Sequence, residues 1–241
     1  MIHEPPWLST EQMREVDRAM VEDYGILLIQ MMENAGRNLA HLARERFLEG
    51  NASGKTILVL AGPGGNGGGG LVCARRVHNW GANVLVYLSS PVATLTEVPR
   101  HQHDVLKKIS VPIRESDKRT ALPDADLIVD AIVGYGLRGD PRGAAVTLID
   151  AVNAHDAPVL SLDVPSGIDA TTGIARRPAI KAAVTMTLAL PKEGLRKEAA
   201  RELVGELYLA DIGVPPRLYS RPPLKLDVGP LFAMQEIVKI G

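Results

Sequence analysis

Apolar residues recur along this chain at two alternating periods, and the alternation predicts its elements. Met13, Val16 and Met20 fall at helical spacing between Thr10, a fair N-cap, and Gly25, a stop signal. A longer helix is predicted from Leu28 to Leu48, where Met31, Met32, Ala35, Leu39, Leu42, Ala43 and Phe47 repeat every three or four positions until Gly50. Glu33 and Asn34 interrupt that stretch and read as a solvated face. The period then switches repeatedly. Strands are predicted at Thr56–Leu60, Asn83–Leu88, Val111–Ile113, Ala125–Val133 and Val159–Leu162, with helices at Leu71–Trp80, Glu97–Lys108 and Ala144–Ala154 between them. Two late strands, Ala183–Leu188 and Glu206–Leu209, extend the series. The strands are continuous apolar runs without the alternation of a half-wet sheet, so the fold class is α/β, with a mostly parallel sheet covered by helices on both faces.

Composition narrows the function classes. With 241 residues, 46% apolar and 23% charged, the chain is neither disordered nor fibrous, and no linker or composition shift divides it, so one domain is expected. Its 27 basic and 28 acidic side chains leave a net charge of −1, which provides no electrostatic footprint for nucleic acid or an acidic membrane. A single cysteine, Cys73, excludes an internal disulfide and a multi-thiolate metal site and fits a reducing cytoplasm. Met1 to Ser9 lack the pattern of a secretory signal, and no apolar run reaches the roughly eighteen residues of a membrane span. The stretch Pro215 to Pro223 reads as a tail leading to a short C-terminal segment.

In an open α/β sheet the chemistry gathers beyond the carboxyl ends of the strands. After the first predicted strand, residues 62–70 hold seven glycines in nine positions and run directly into a helix. Backbone without Cβ approaches an anion closely, and the helix behind it offers free N–H groups, so a phosphate cradle is favoured over a merely flexible loop. The strand ending near Val133 delivers Asp130 and a second glycine-rich segment, Gly134 to Asp140; the strand ending at Leu162 delivers Asp163 and Ser166. Each aspartate alone fits a turn or cap. Their coincidence with Asn66 at one sheet edge suggests a site whose oxygen donors suit a hard cation. Gly62-x-Gly64-x-x-Gly67 also satisfies a dinucleotide fingerprint, but Ser89, Ser90 and Pro91 follow the second strand where a ribose-binding carboxylate belongs. Pro165-Ser166-Gly167 is not a nucleophile elbow. His101 and His103 read as solvated surface residues.

Five ordered segments together resemble the YjeF N-terminal domain family of NAD(P)HX epimerases: Met32-Glu33-Asn34-Ala35-Gly36, Gly62 to Gly70, Val129 to Gly134 with Gly136-Leu137, Asp163 to Asp169, and Ala210 to Pro215. The resemblance covers about residues 8–218, within a single domain spanning 1–241 whose residues 219–241 form a tail. It implies a Rossmann-like three-layer αβα sandwich, and a homodimer. The implied substrate is NADH or NADPH hydrated at carbon 6 of the nicotinamide ring, whose R and S epimers are interconverted before a separate ATP-dependent dehydratase consumes the S form. Carried over residue by residue, Asp163 is the acid/base. Asn66, Asp130 and Ser166 ligate a potassium ion. Gly65, Asn66, Gly67, Gly68 and Gly69, with Gly134, Tyr135, Gly136, Leu137, Arg138, Gly139, Asp140 and Asp163, line the nucleotide. The family's glycine loop carries an asparagine and an aspartate where this chain has Gly65 and Gly69, so a catalytically impaired nucleotide-binding or scaffold protein is the alternative reading.

Overall fold

The computed structural model describes residues 4–241; Met1 to His3, where the N-terminal reading began, lie outside the described residues. The helices α1 (Thr10–Glu22) and α2 (Leu28–Phe47) precede β1 (Thr56–Ala61), α3 (Gly65–Asn79), β2 (Asn83–Leu88), α4 (Glu97–Lys108) and β3 (Ile113–Glu115). The second half runs β4 (Leu127–Ala131), α5 (Ala144–Asn153), β5 (Val159–Leu162), β6 (Val184–Leu188), α6 (Arg201–Val204), β7 (Glu206–Ala210), α7 (Pro216–Ser220) and β8 (Ile237–Lys239). The strands form one sheet in the order β3-β2-β1-β4-β5-β6-β7-β8, parallel except for the antiparallel β8. This is the α/β architecture predicted from the alternating periods.

Pleating divides the core. Ile57, Val59 and Ala61 of β1 pack with the apolar faces of α1, α2, α3 and α4, whereas Leu58 and Leu60 pack on the opposite side with Ala145, Leu148, Ile149 and Val152 of α5. Two covered faces explain why five of the six residues of β1 are buried and why no polar alternation marks the strand.

Four local features differ from the sequence expectations. Ser9, not Thr10, caps α1, in a reciprocal box with Gln12. The helix after β1 begins at Gly65 rather than Leu71, so most of the glycine run is helix. Glu33 and Asn34 are not simply solvated: Glu33 accepts hydrogen bonds from Arg75 at 2.5 Å and Arg76 at 2.5 Å, and Asn34 donates to the Ile212 carbonyl at 3.4 Å. The segment read as a tail ends in β8, which pairs with Tyr208 to Ala210 of β7. A short strand at the end of a polar, Pro-rich segment carries too little periodicity to announce itself.

Candidate functional site

The strand order reverses at β1. The chain first builds outward through β2 and β3, then returns to lay β4 on the other side of β1. The loops leaving β1 and β4 therefore diverge, and the crevice they open is where ligands bind in folds of this type. Gly62 makes the junction. Its N–H donates to the Ala131 carbonyl at 3.0 Å, and a Cβ there would lie 1.9 Å from the Ile132 carbonyl oxygen. Only glycine permits that approach.

The crevice holds a cavity of about 390 Å³, within the range of small-molecule sites. It is lined by Pro63, Gly64, Gly65 and Asn66 after β1, by Ile132 to Gly136 after β4, and by Met13, Asp17, Leu28 and Met32 of the first two helices. Asp163 and Lys192 also line it. The α3 N-terminus opens onto this space with Gly64 as a cap that lacks a side chain, leaving its first amides free to receive a negatively charged group.

The glycines of the run have separate tasks. Gly64 and Gly65 line the cavity, while Gly67, Gly68, Gly69 and Gly70 are buried in the body. A Cβ on Gly67 would meet the Gly62 carbonyl oxygen at 2.0 Å, and one on Gly70 would meet Ala131 Cβ at 2.5 Å. Gly69 points at Leu162, Ala35 and Met32. The carbonyl of Gly69 packs against Gly36 of α2, so the two helices cross at a pair of glycines.

Asp163 follows β5 with φ +71°, a left-handed conformation that costs a non-glycine residue roughly 1–3 kcal/mol and persists where surroundings enforce it. Its amide still donates to the Met186 carbonyl at 2.7 Å. Its carboxylate is almost entirely buried; Oδ2 accepts the Tyr135 N–H at 2.9 Å, and Oδ1 lies 2.5 Å from Lys192 Nζ. Lys192 is fully buried. Its directed hydrogen bonds go to the Leu188 carbonyl at 2.7 Å and Thr187 Oγ1 at 3.3 Å, and the Asp163 carboxylate balances its charge. The Tyr135 hydroxyl donates to Asp17 Oδ2. Burial moves the Asp17 carboxyl above its ordinary value, against the opposing effect of the tyrosine bond and the Lys192 charge.

Asp130 lies beneath this group. It accepts from Ser161 Oγ at 2.8 Å, Ser166 Oγ at 2.6 Å, the Ser166 amide at 2.8 Å and the Ile132 amide at 3.2 Å. Burial raises its carboxyl above the usual range, and those hydrogen bonds pull the other way. Both side-chain amide atoms of Asn66 are buried without a hydrogen-bond partner, a condition that costs about 1–3 kcal/mol per group unless a ligand satisfies it. A Cβ on Gly134 would touch Asn66 Oδ1 at 3.1 Å and Asp163 Oδ2 at 2.8 Å, so these two side chains flank the same glycine. The orphaned amide oxygen of Asn66, the Asp130 carboxylate and the Ser166 hydroxyl are oxygen donors of the kind that suit a hard cation.

The structure thus brings Gly65, Asn66, Gly134, Tyr135, Gly136 and Asp163 to one cavity. Asp130 and Ser166 lie buried and bonded to each other, while Arg138, Gly139 and Asp140 are exposed and Leu137 half-exposed, outside the cavity lining. His101 is exposed, but His103 is buried and bonded to Asp104 at 2.9 Å, a departure from the solvated reading. No group of three or more His, Cys, Asp or Glu side chains among the described residues could hold a metal ion. No described helix is long and apolar enough to cross a membrane.

Sequence reasoning missed Asp17 and Lys192. Both had a signal. Asp17 interrupts the apolar stripe Met13, Val16, Met20 at i+4 from Met13, and Lys192 follows an apolar strand by the same rule that located Asp163.

The family model described as the YjeF-related protein N-terminus matches residues 28–194. An NAD(P)H-hydrate epimerase of Dehalogenimonas lykanthroporepellens is 43% identical over 227 residues, covering 94% of this chain and 89% of the relative. A bifunctional NAD(P)H-hydrate repair enzyme of Moorella thermoacetica is 36% identical over 88% of this chain, which spans 41% of that longer protein. The crystal structure of the yeast protein ynu0 superposes with a TM-score of 0.83 at 28% identity, covering 98% of this chain and 100% of the other.

Proposed function

The chain belongs to the family of the YjeF-related protein N-terminus, and from that premise we propose that it is an NAD(P)H-hydrate epimerase, acting on the C6 hydroxyl of hydrated NADH or NADPH. The observation that carries the reading is Asp163: a buried carboxylate in a left-handed backbone conformation, paired with Lys192, bonded to the Tyr135 amide and facing a cavity at the switch point.

The chemistry asks little of the protein. Carbon 6 carries both a hydroxyl and the ring nitrogen, so the nitrogen lone pair expels the hydroxyl as water once its oxygen is protonated. Water then returns to the cationic ring from the other face and gives up a proton. Asp163 has the reach and the charge to accept that proton, with Lys192 holding the carboxylate in place. Apolar Met13, Leu28 and Met32 exclude bulk water above the ring, and the open α3 N-terminus supports a phosphate-bearing ligand.

Coupled turnover tests this. With a dehydratase restricted to the S form, the purified protein should consume the R form far faster than its spontaneous rate, and Asp163→Asn should slow that consumption by about 10²- to 10⁴-fold. Equal rates for variant and wild type refute the assignment. The impaired-scaffold alternative rests on Gly65 and Gly69. Gly69 does not line the cavity, and turnover by the wild type removes that reading.

We further propose that Asn66, Asp130 and Ser166 hold a potassium ion. Bound there, the cation would neutralise the buried Asp130 carboxylate and satisfy Asn66. Potassium at a hundredfold over its dissociation constant should stabilise the fold by about 2.7 kcal/mol in thermal unfolding, relative to choline at the same ionic strength. Asn66→Ala should abolish most of the difference. An identical response of wild type and variant removes the ion from this site.

A further inference from the structure

Epimerisation imposes a geometric demand that one carboxylate does not meet. A ring held in a cavity shows one face to each wall, and inversion at C6 requires water to leave from one face and arrive at the other. Asp163, just beyond the end of β5, lines that cavity. The same cavity is lined by a second carboxyl group, Asp17, presented by α1. Tyr135 spans the two: its backbone amide donates to Asp163 and its hydroxyl donates to Asp17. Lys192 lies over the same tyrosine ring, 6.0 Å from its centroid. Two carboxyl groups at the two ends of one tyrosine, both lining one cavity, is the arrangement that two-faced proton transfer needs.

We propose that Asp17 is the second catalytic acid/base of the epimerisation, serving the ring face opposite Asp163. The inference rests on the epimerase reading and adds to it. In the first step Asp17 in its protonated form gives its proton to the C6 hydroxyl. The C6–O bond breaks, water departs, and the nitrogen lone pair becomes the second bond of a C6=N1 iminium. In the second step a water oxygen forms the new C6–O bond from the other face, the iminium electrons return to nitrogen, and the surplus proton passes to Asp163. One water leaves and one enters. The proton that moved from Asp17 to Asp163 is restored by exchange with solvent, and the reverse direction uses the same groups in exchanged roles. Burial favours the proton-bearing form of Asp17, as the first step requires. Tyr135 orients the carboxyl toward the ring.

Oxygen-18 exchange distinguishes this scheme from an architectural latch between α1 and the β4 loop. In H₂¹⁸O, wild type should label the C6 hydroxyl of both epimers while interconverting them. Asp17→Asn keeps the shape and the tyrosine bond but carries no transferable proton. It should slow epimerisation at least 100-fold yet still label one epimer with retention, because Asp163 alone releases and returns water on its own face. Asp163→Asn should label only the other epimer. Tyr135→Phe should slow labelling of the epimer that Asp17 serves while sparing its counterpart, and it provides the test should Asp17→Asn fail to fold. The proposal is overturned if Asp17→Asn epimerises at the wild-type rate, or if it loses labelling of both epimers together while still folded. A wild type that neither labels nor epimerises would instead remove the epimerase reading itself.

Discussion

Asp163 and Gly36 show how single positions set the site. At Asp163 a non-glycine residue takes φ +71° so that its carboxylate meets Lys192 and the Tyr135 amide rather than continuing along β5. At Gly36 the missing side chain matters: a Cβ there would lie 2.4 Å from both the Gly69 carbonyl oxygen and Val72 Cβ. Neither neighbour is the free end of a flexible side chain. Gly36→Ala is therefore expected to destabilise the fold by about 1–3 kcal/mol, read as a lower urea midpoint at unchanged slope. A variant with the wild-type midpoint would show that α2 and α3 separate at little cost. Asp130 and Asp163 were legible from their positions at the ends of apolar strands. The role of the buried glycines was not, because a glycine that contacts a phosphate and a glycine that contacts a neighbouring helix are written with the same letter.

α1 is the element on which the cavity's cover depends. Its capping box pairs the Ser9 hydroxyl with the Gln12 amide and the Gln12 side chain with the Ser9 amide. Its second anchor is Thr10, whose amide donates to Thr171 Oγ1 at 2.9 Å. Ser9→Ala should cost about 0.5–2 kcal/mol. Because α1 also carries Met13 and Asp17 into the cavity, the same variant should weaken nucleotide binding more than it changes the far-ultraviolet dichroism of the whole chain. Calorimetric titration with NADPH, as an accessible nucleotide, measures the first effect. Undiminished affinity would mean that the helix holds its place without the cap. The apolar stripe of α1 announced a buried face in the sequence, and its partner did not appear there. Periodicity identifies which side of a helix is covered, whereas the element packed against α1 here is α7, at the far end of the chain.

At the level of the molecule, the sheet order locates the site and the last strand protects its edge. Alternating periods in the sequence were enough to imply a layered α/β fold, and the strand order then follows from β4 returning to the other side of β1. β8 was not legible, since three residues after a Pro-rich stretch carry no pattern. It nevertheless covers the outer edge of β7, pairing Tyr208 with Lys239 and Ala210 with Ile237. Removing residues 234–241 should leave the β7 backbone groups without partners and promote concentration-dependent self-association, visible by light scattering. A truncated chain that stays monodisperse would assign β8 no such duty.

The parallel bridge between Leu8 and Lys192 joins the opening segment of the chain to the loop that supplies the cavity's lysine. On the ribosome these two partners emerge in widely separated order, and a contact of such long range is slow to form. A nascent chain that has just completed β5 already owns Asp163 and the crevice between β1 and β4. It still lacks the cation beneath that carboxylate and the loop on which its first helix leans. The cavity is accordingly completed only after β6 and the loop behind it have been made.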